Sequence, residues 1–201
     1  MNAPVFTPNA ATQPAPTAAN AVAFEQPHWR VIAAGFHAES WYTADQGVCN
    51  GGIVLPQPTR LASGQYYYRF ASSASPLAAQ LGSGWWLDYE NFALIRNFAQ
   101  QHGYALREAA RLMLALPYAW TRVDRLVRAL LTQPLRAYTG RGKPVQAPPD
   151  GADRGTRWVP TQHIALRQLY VPGLALPEPR GQPLYETVFA QPIQVEPLRE
   201  R

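Results

Sequence analysis

Arg69 stands at the end of three tyrosines in the stretch GQYYYRFASSAS, Gly64 to Ser75. An aromatic strand of this kind packs against a core, so a guanidinium within it must either extend its stem to water or be held by an anion that the fold is built to bind. Arginine suits planar, bidentate anions, phosphates and carboxylates above all. Further on, GSGWW, Gly82 to Trp86, places Trp85 and Trp86 behind a flexible Gly-Ser turn. Paired indoles there form either a flat stacking surface for a ligand ring or part of the core. TGRGK, Thr139 to Lys143, offers backbone N–H groups with Arg141 and Lys143, enough to cradle a phosphate or simply to make a basic loop.

Other chemistries find less support. DQGVCNGG, Asp45 to Gly52, carries fragments similar to those of papain-like cysteine proteases, but that pattern places the nucleophile three residues after Cys49, where Gly52 stands. A thiol nucleophile also needs a base, so Cys49 reads as an incidental thiol in a turn. The histidines, His28, His37, His102 and His163, are scattered without zinc-ligand spacing. Neither a glycine-rich dinucleotide fingerprint after a strand nor a P-loop is present.

The composition fits these candidates. Of 201 residues, 47% are hydrophobic and the aromatics include six Trp and ten Tyr, enough for a real core with rings to spare for a pocket. The formal charge of +5 is carried almost wholly by arginine, Lys143 being the single lysine, which favours phosphorylated partners without establishing nucleic-acid binding. One cysteine excludes an internal disulfide, so a reducing cytoplasm suits the chain. No signal-peptide pattern and no long apolar run are present, so membrane insertion is not expected, and export would need a machine requiring no cleavable signal.

Elements must then position the candidates. Residues 1–27, rich in Ala, Pro, Asn and Thr, read as a disordered leader, and 28–201 as a single domain. HWRVIAAGFHAESWY and GGIVLPQPTRLASGQYYYRFASS read as strands and loops. Asp88 caps a helix whose face is Phe92, Ile95, Phe98 and Ala99, and Gly103 ends it. A second helix runs from Leu106 to Leu116, and Thr121 with Asp124 opens a third, Arg122 to Gln133, with Arg122, Arg125 and Arg128 on its solvated face. Thr139 to Arg157 is expected to be a mobile loop, after which strand character returns around RWVPTQHIALRQLYVPGLAL and LYETVFAQPIQV. Strands, a helical block, then strands is an α+β layout.

YYYRFASS resembles the first catalytic strand of the ADP-ribosyltransferases, in which a tyrosine-arginine pair is followed within a few residues by serine. RQLYVPGL, Arg167 to Leu174, resembles the last catalytic strand of the same superfamily, with Gln168 where the family has glutamate. RES-domain proteins, a related NAD-consuming toxin group, share an early arginine and a Gly-Trp segment. The resemblance implies split β-sheets with a central helical block and an NAD cleft between them. It also implies that Arg69 grips the NAD phosphates, that Ser72 or Ser73 supports it, and that Trp85 and Trp86 pack on the rings. Gln168 would reach the ribose, and the missing acid would come from Glu186, with Glu90 behind it. No Ser-Thr-Ser strand is found between Arg69 and Gln168.

The implied reaction cleaves the nicotinamide–ribose bond of NAD, with transfer to a protein or nucleic acid or to water. Bacterial domains of this kind are commonly toxin effectors, which come with an immunity protein. Two alternatives stay open: a non-catalytic binding or adaptor module that kept the cleft, and a nucleic-acid-binding domain using the arginine helix and TGRGK.

Overall fold

The computed structural model describes residues 17–35, 51–147, 152–161, 165–177 and 181–198. In chain order they form α1 (Ala21–Phe24), α2 (Pro27–Ala33), β1 (Gln57–Leu61), β2 (Tyr66–Ala71), α3 (Leu77–Gly82), β3 (Trp85–Trp86), α4 (Tyr89–His102), α5 (Leu106–Leu114), β4 (Arg125–Leu130), β5 (Leu135–Gly140), β6 (Val145–Gln146), β7 (Arg157–Trp158), β8 (Gln168–Tyr170), α6 (Leu184–Val188) and β9 (Gln194–Pro197). The fold is α+β. Antiparallel pairing builds one sheet in the order β1-β5-β8-β3, a second in the order β2-β4-β9, and a small β6-β7 ribbon. None of the helices among the described residues is long and apolar enough to cross a membrane.

Strand alternation sends each strand's side chains to two faces, and both faces are packed along the inner strands, while β1 and β9 remain largely exposed. Leu135, Ala137, Leu169 and Trp86 of the first sheet meet Tyr67, Ala71, Val127 and Ala129 of the second in the central core. On the far side of the second sheet, Tyr68, Phe70 and Leu126 pack with Phe92, Ile95 and Met113 of α4 and α5. On the far side of the first, Tyr138 and Tyr170 pack with Phe24, Trp29 and Ala33 of α1 and α2.

The α4 helix forms as its pattern predicts. Asp88 accepts from Asn91 N at 2.8 Å, and Gly103 closes the helix in the left-handed region at φ 69°. The α5 helix stops at Leu114, two residues short of expectation, because Ala115 takes a left-handed cap conformation at φ 53°.

Several expectations are corrected. The segment after His28 is helical: Pro27 occupies the first turn of α2, and Trp29, Ile32 and Ala33, spaced i, i+3, i+4, face one cluster. The expected third helix is instead strand β4, whose apolar run is continuous because both faces are buried, Leu126 on one side and Val127 on the other. Arg125 and Arg128 therefore point to opposite faces and form no arginine stripe. Leu184–Val188 is helical, burying Leu184, Tyr185 and Val188. The span from Thr139 to Arg157 is largely ordered by pairing: Gly140 ends β5, Gly142 bridges Ile53, and β6 pairs with β7. His37, Cys49 and His163 lie outside the described residues.

The leader boundary at Pro27 also moves. Residues 1–16 lie outside the described residues, but Asn20 is buried and donates from Nδ2 to Arg136 O and Pro172 O while accepting from Arg136 N. Phe24 is buried, stacked on Tyr138 at 4.6 Å between ring centres, with the Arg136 guanidinium 4.0 Å over its other side. Phe24→Ala should accordingly cost about 3 kcal/mol of stability in urea unfolding, the usual loss for a buried phenylalanine. A change below about 0.5 kcal/mol, normal for exposed surface, would return α1 to the leader.

Candidate functional site

Strands β2 and β3 are each the edge of their own sheet. They join at one residue pair, Tyr68 and Leu87, which exchange two backbone hydrogen bonds of 2.8 Å. Past that pair the two strands part, and a cavity of about 600 Å³ opens in the fork. That volume lies in the range of small-molecule sites.

Arg69 is the next residue of β2, on the face shared with Tyr67 and Ala71. Its guanidinium spans the fork, Nη1 donating to Trp85 O at 2.8 Å, while Nε is buried without a partner. Burial pushes its pKa down to about 10, and no carboxylate offsets that burial. Among the described lining residues the cavity holds no carboxylate at all. Arg69 therefore stays protonated at neutral pH as a half-buried, partly desolvated cation that lacks a counter-ion among the described residues, a state that an incoming anion would relieve.

Arg111 provides the contrast. It is 2% exposed, yet Nη1 donates to Leu116 O and Nη2 to Thr121 O and Arg122 O, with the guanidinium 3.9 Å from the centre of the Tyr118 ring. Its Nε too is buried without a partner, but its two Nη groups have three carbonyls, where Arg69 has one among the described residues.

Of the other expected residues, Ser72, Trp85, Trp86 and Gln168 line the same cavity as Arg69. The two tryptophans do not make one flat surface. As neighbours on a strand they point to opposite sides of the sheet: Trp86 packs on Phe189 in the central core, and Trp85 sits edge-on to Tyr170 at 5.0 Å. Gln168 pairs with Gly140 in the β5–β8 ladder, and its amide packs so closely on Gly142 that a Cβ there would fall 2.6 Å from Nε2. The start of β8 is tied to α4 by Arg167 N donating to Asn91 Oδ1 at 2.6 Å. Glu186 and Glu90 are exposed on α6 and α4 and do not line the cavity, so neither is brought to Arg69. In TGRGK, Lys143 N donates to Gly52 O and Arg141 O accepts from Val54 N, so these backbone groups serve the fold, while Lys143 also reaches the cavity wall.

Ser73 faces away from the cavity and anchors its rim. Its N and Oγ donate to the two Asp124 carboxylate oxygens at 2.6 and 2.5 Å, fixing the Ser72–Ser75 turn. Gln80 buttresses the same turn from α3, its Nε2 donating to Ser72 O and Ser75 O. Sequence reasoning missed Gln80, Trp120 and Thr121, all cavity-lining. For Trp120 the signal was masked by taking the adjoining segment as a helix opening. Among the described residues no group of His, Cys, Asp and Glu side chains could hold a metal.

Two outcomes follow from these charges. Burial of Arg69 opposes folding wherever it is protonated in the native state, so the cost is present below about pH 10 and is relieved as pH rises from there toward its unfolded value. Arg69→Met should therefore fold at least as stably as the parent at pH 7, gaining on the order of 1 kcal/mol in urea unfolding; a loss of about 3 kcal/mol would make Arg69 structural. For Asp124, burial raises the pKa, but the Ser73 hydrogen bonds outweigh it and hold the carboxyl below its usual range. Its contribution is present above the unfolded carboxylate pKa and fades as pH falls through the lower native value. Asp124→Asn should thus be less stable than the parent at pH 7, and the gap should narrow on acidification below about pH 4; a gap independent of pH would exclude the charge as its source.

Family models, curated proteins and solved structures were all compared with the chain, and none matches it.

Proposed function

We propose that the fork between the two sheets is an ADP-ribosyltransferase-like NAD cleft, and that the chain consumes NAD by breaking its nicotinamide–ribose bond. The observation that carries this is Arg69: a half-buried cation whose Nε is buried without a partner and which has no described counter-ion, on the wall of a cavity that also presents two indoles and Gln168. A dinucleotide supplies the missing anion as its pyrophosphate and aromatic rings for the indoles. Two antiparallel sheets parted at one edge, with helices on the outer face of each, are compatible with the split-sheet layout.

In the reaction the C–N bond at the nicotinamide ribose breaks, and its electron pair leaves with nicotinamide. An acceptor oxygen, from water or from a protein or nucleic acid, forms the new bond to that carbon and releases its proton. Arg69 holds the phosphates in fixed orientation, which is most of what such a site contributes before the bond breaks. The Gln168 amide oxygen accepts from a ribose hydroxyl and turns a dipole, not a charge, toward the developing oxocarbenium. One preorganised electrostatic group is worth about 3–4 kcal/mol, so turnover with glutamine should be about 10²–10³-fold below that with glutamate. A chain with this activity harms the cell that holds it, which fits a toxin or effector acting in a target cell and neutralised by an immunity protein in the producer.

A second reading has one observation in its favour. No carboxylate lines the cavity among the described residues, which fits a module that binds NAD without turning it over. The nucleic-acid reading loses its arginine helix to strand β4.

NAD consumption by the purified chain, with and without cell lysate as acceptor, tests the proposal. Slow turnover is expected, abolished by Arg69→Ala and raised about 10²-fold by Gln168→Glu. NAD binding without turnover in the parent and in Gln168→Glu would establish the binding module. Absence of both binding and turnover in folded protein would sink the cleft altogether.

A further inference from the structure

We infer that Trp120 is the platform on which the adenine ring of the dinucleotide stacks; this rests on the NAD reading above and assigns one end of that ligand.

Trp85 and Trp86 cannot sandwich a base together, because they face opposite sides of their sheet and are each engaged with another ring. Trp120 differs on both counts. It lines the cavity, it is 44% exposed, and it makes no ring pair with another described residue. One edge of its indole rests on Gly51, so close that a Cβ there would stand 3.2 Å from Cη2. An exposed indole at the mouth of a cationic cavity presents a π-face where a base can stack.

The loop carrying Trp120 is held more firmly than its exposure would suggest. Arg111 ties it down through Leu116 O, Thr121 O and Arg122 O, on both sides of the tryptophan. Its two ends, Ala115 and Val123, are both fully buried and both left-handed at φ 53°. For the β-branched Val123 that conformation is strained, and such strain persists only where surrounding contacts fix it. Tyr118 adds a hydrogen bond from its hydroxyl to Glu108, and its backbone N donates to Asp153 across to the β6-β7 ribbon. Trp120 is thus pre-positioned, so stacking on it costs little ordering.

The choice of adenine follows from depth. The bond that breaks must be shielded from water, which places nicotinamide toward Gln168, whose amide is packed under Gly142. Adenine carries no reacting atom and can remain at the rim beside Trp120.

Calorimetric titration of the full chain with ADP, NAD, nicotinamide mononucleotide and inorganic pyrophosphate tests this, with thermal unfolding as the folding control. Trp120→Leu should weaken ADP and NAD about tenfold or more, Trp120→Phe should recover most of that loss, and pyrophosphate and nicotinamide mononucleotide should bind both variants as they bind the parent. Unchanged ADP binding in Trp120→Leu, in a parent that binds NAD, would overturn the platform and leave the NAD cleft standing. Equal weakening of all four ligands would make Trp120 a residue of the loop's structure and overturn the inference. A parent that binds none of them would overturn both.

Discussion

The two hydrogen bonds between Tyr68 and Leu87 are the joint on which the molecule turns. Each sheet is closed on its faces by helices or by the other sheet, and each would end there in an unpaired edge. Joining the edges at a single pair satisfies those groups locally, and no further pairing continues the ladder between the two sheets among the described residues. The cavity is the geometric consequence of that parting. Residues of β2 and β3 form part of its walls, and the Arg69 guanidinium reaches across to the backbone carbonyl of Trp85.

Charge and strain distribute themselves around this joint. Arg111 is nearly inaccessible and is accommodated by three carbonyls and an aromatic face; its role is to hold a loop. Arg69 is half-buried with a single carbonyl partner among the described residues, which do not recover its desolvation cost. The left-handed Ala115 and Val123 add a second local cost on the same cavity's border. Two unfavourable arrangements on one cavity are hard to explain by packing, since a methionine at 69 and a glycine at either loop end would relieve them. They fit a site in which stability is given up for a shaped, charged surface.

What the sequence disclosed follows the same physics. Helix α4 was legible because its cap, its apolar period and its terminal glycine all agree, and Arg69 was legible because a cation in an aromatic strand demands a partner. Strand β4 was not, because TRVDRLVRALLTQ is apolar on both faces and its arginines fall at spacings that also suit a helix; only the presence of a helix layer on one side and a sheet on the other decides for a strand. The α2 helix was hidden by its aromatic and β-branched residues, although Pro27 and the Trp29, Ile32, Ala33 spacing were available signals. Trp85 and Trp86 both line the cavity, but strand alternation separates them, so they form no single flat surface. Arg111 and Trp120 acquire meaning only when a loop is folded back across the chain, which no local pattern encodes.

The sign of the cavity's field bears on its chemistry. Arg69 makes its wall of the cavity positive, and a positive wall opposes the oxocarbenium that forms when nicotinamide departs. Under the proposed reading the opposition is removed by the substrate itself, because the pyrophosphate that Arg69 captures brings two negative charges to the site. A glutamate at 168 would then add to an already neutralised field, whereas in the empty cavity it would pair with the cations and lower the affinity of the phosphates. Glutamine avoids that competition. Under that reading the exchange trades transition-state charge for a cleft that keeps its cation for the arriving anion.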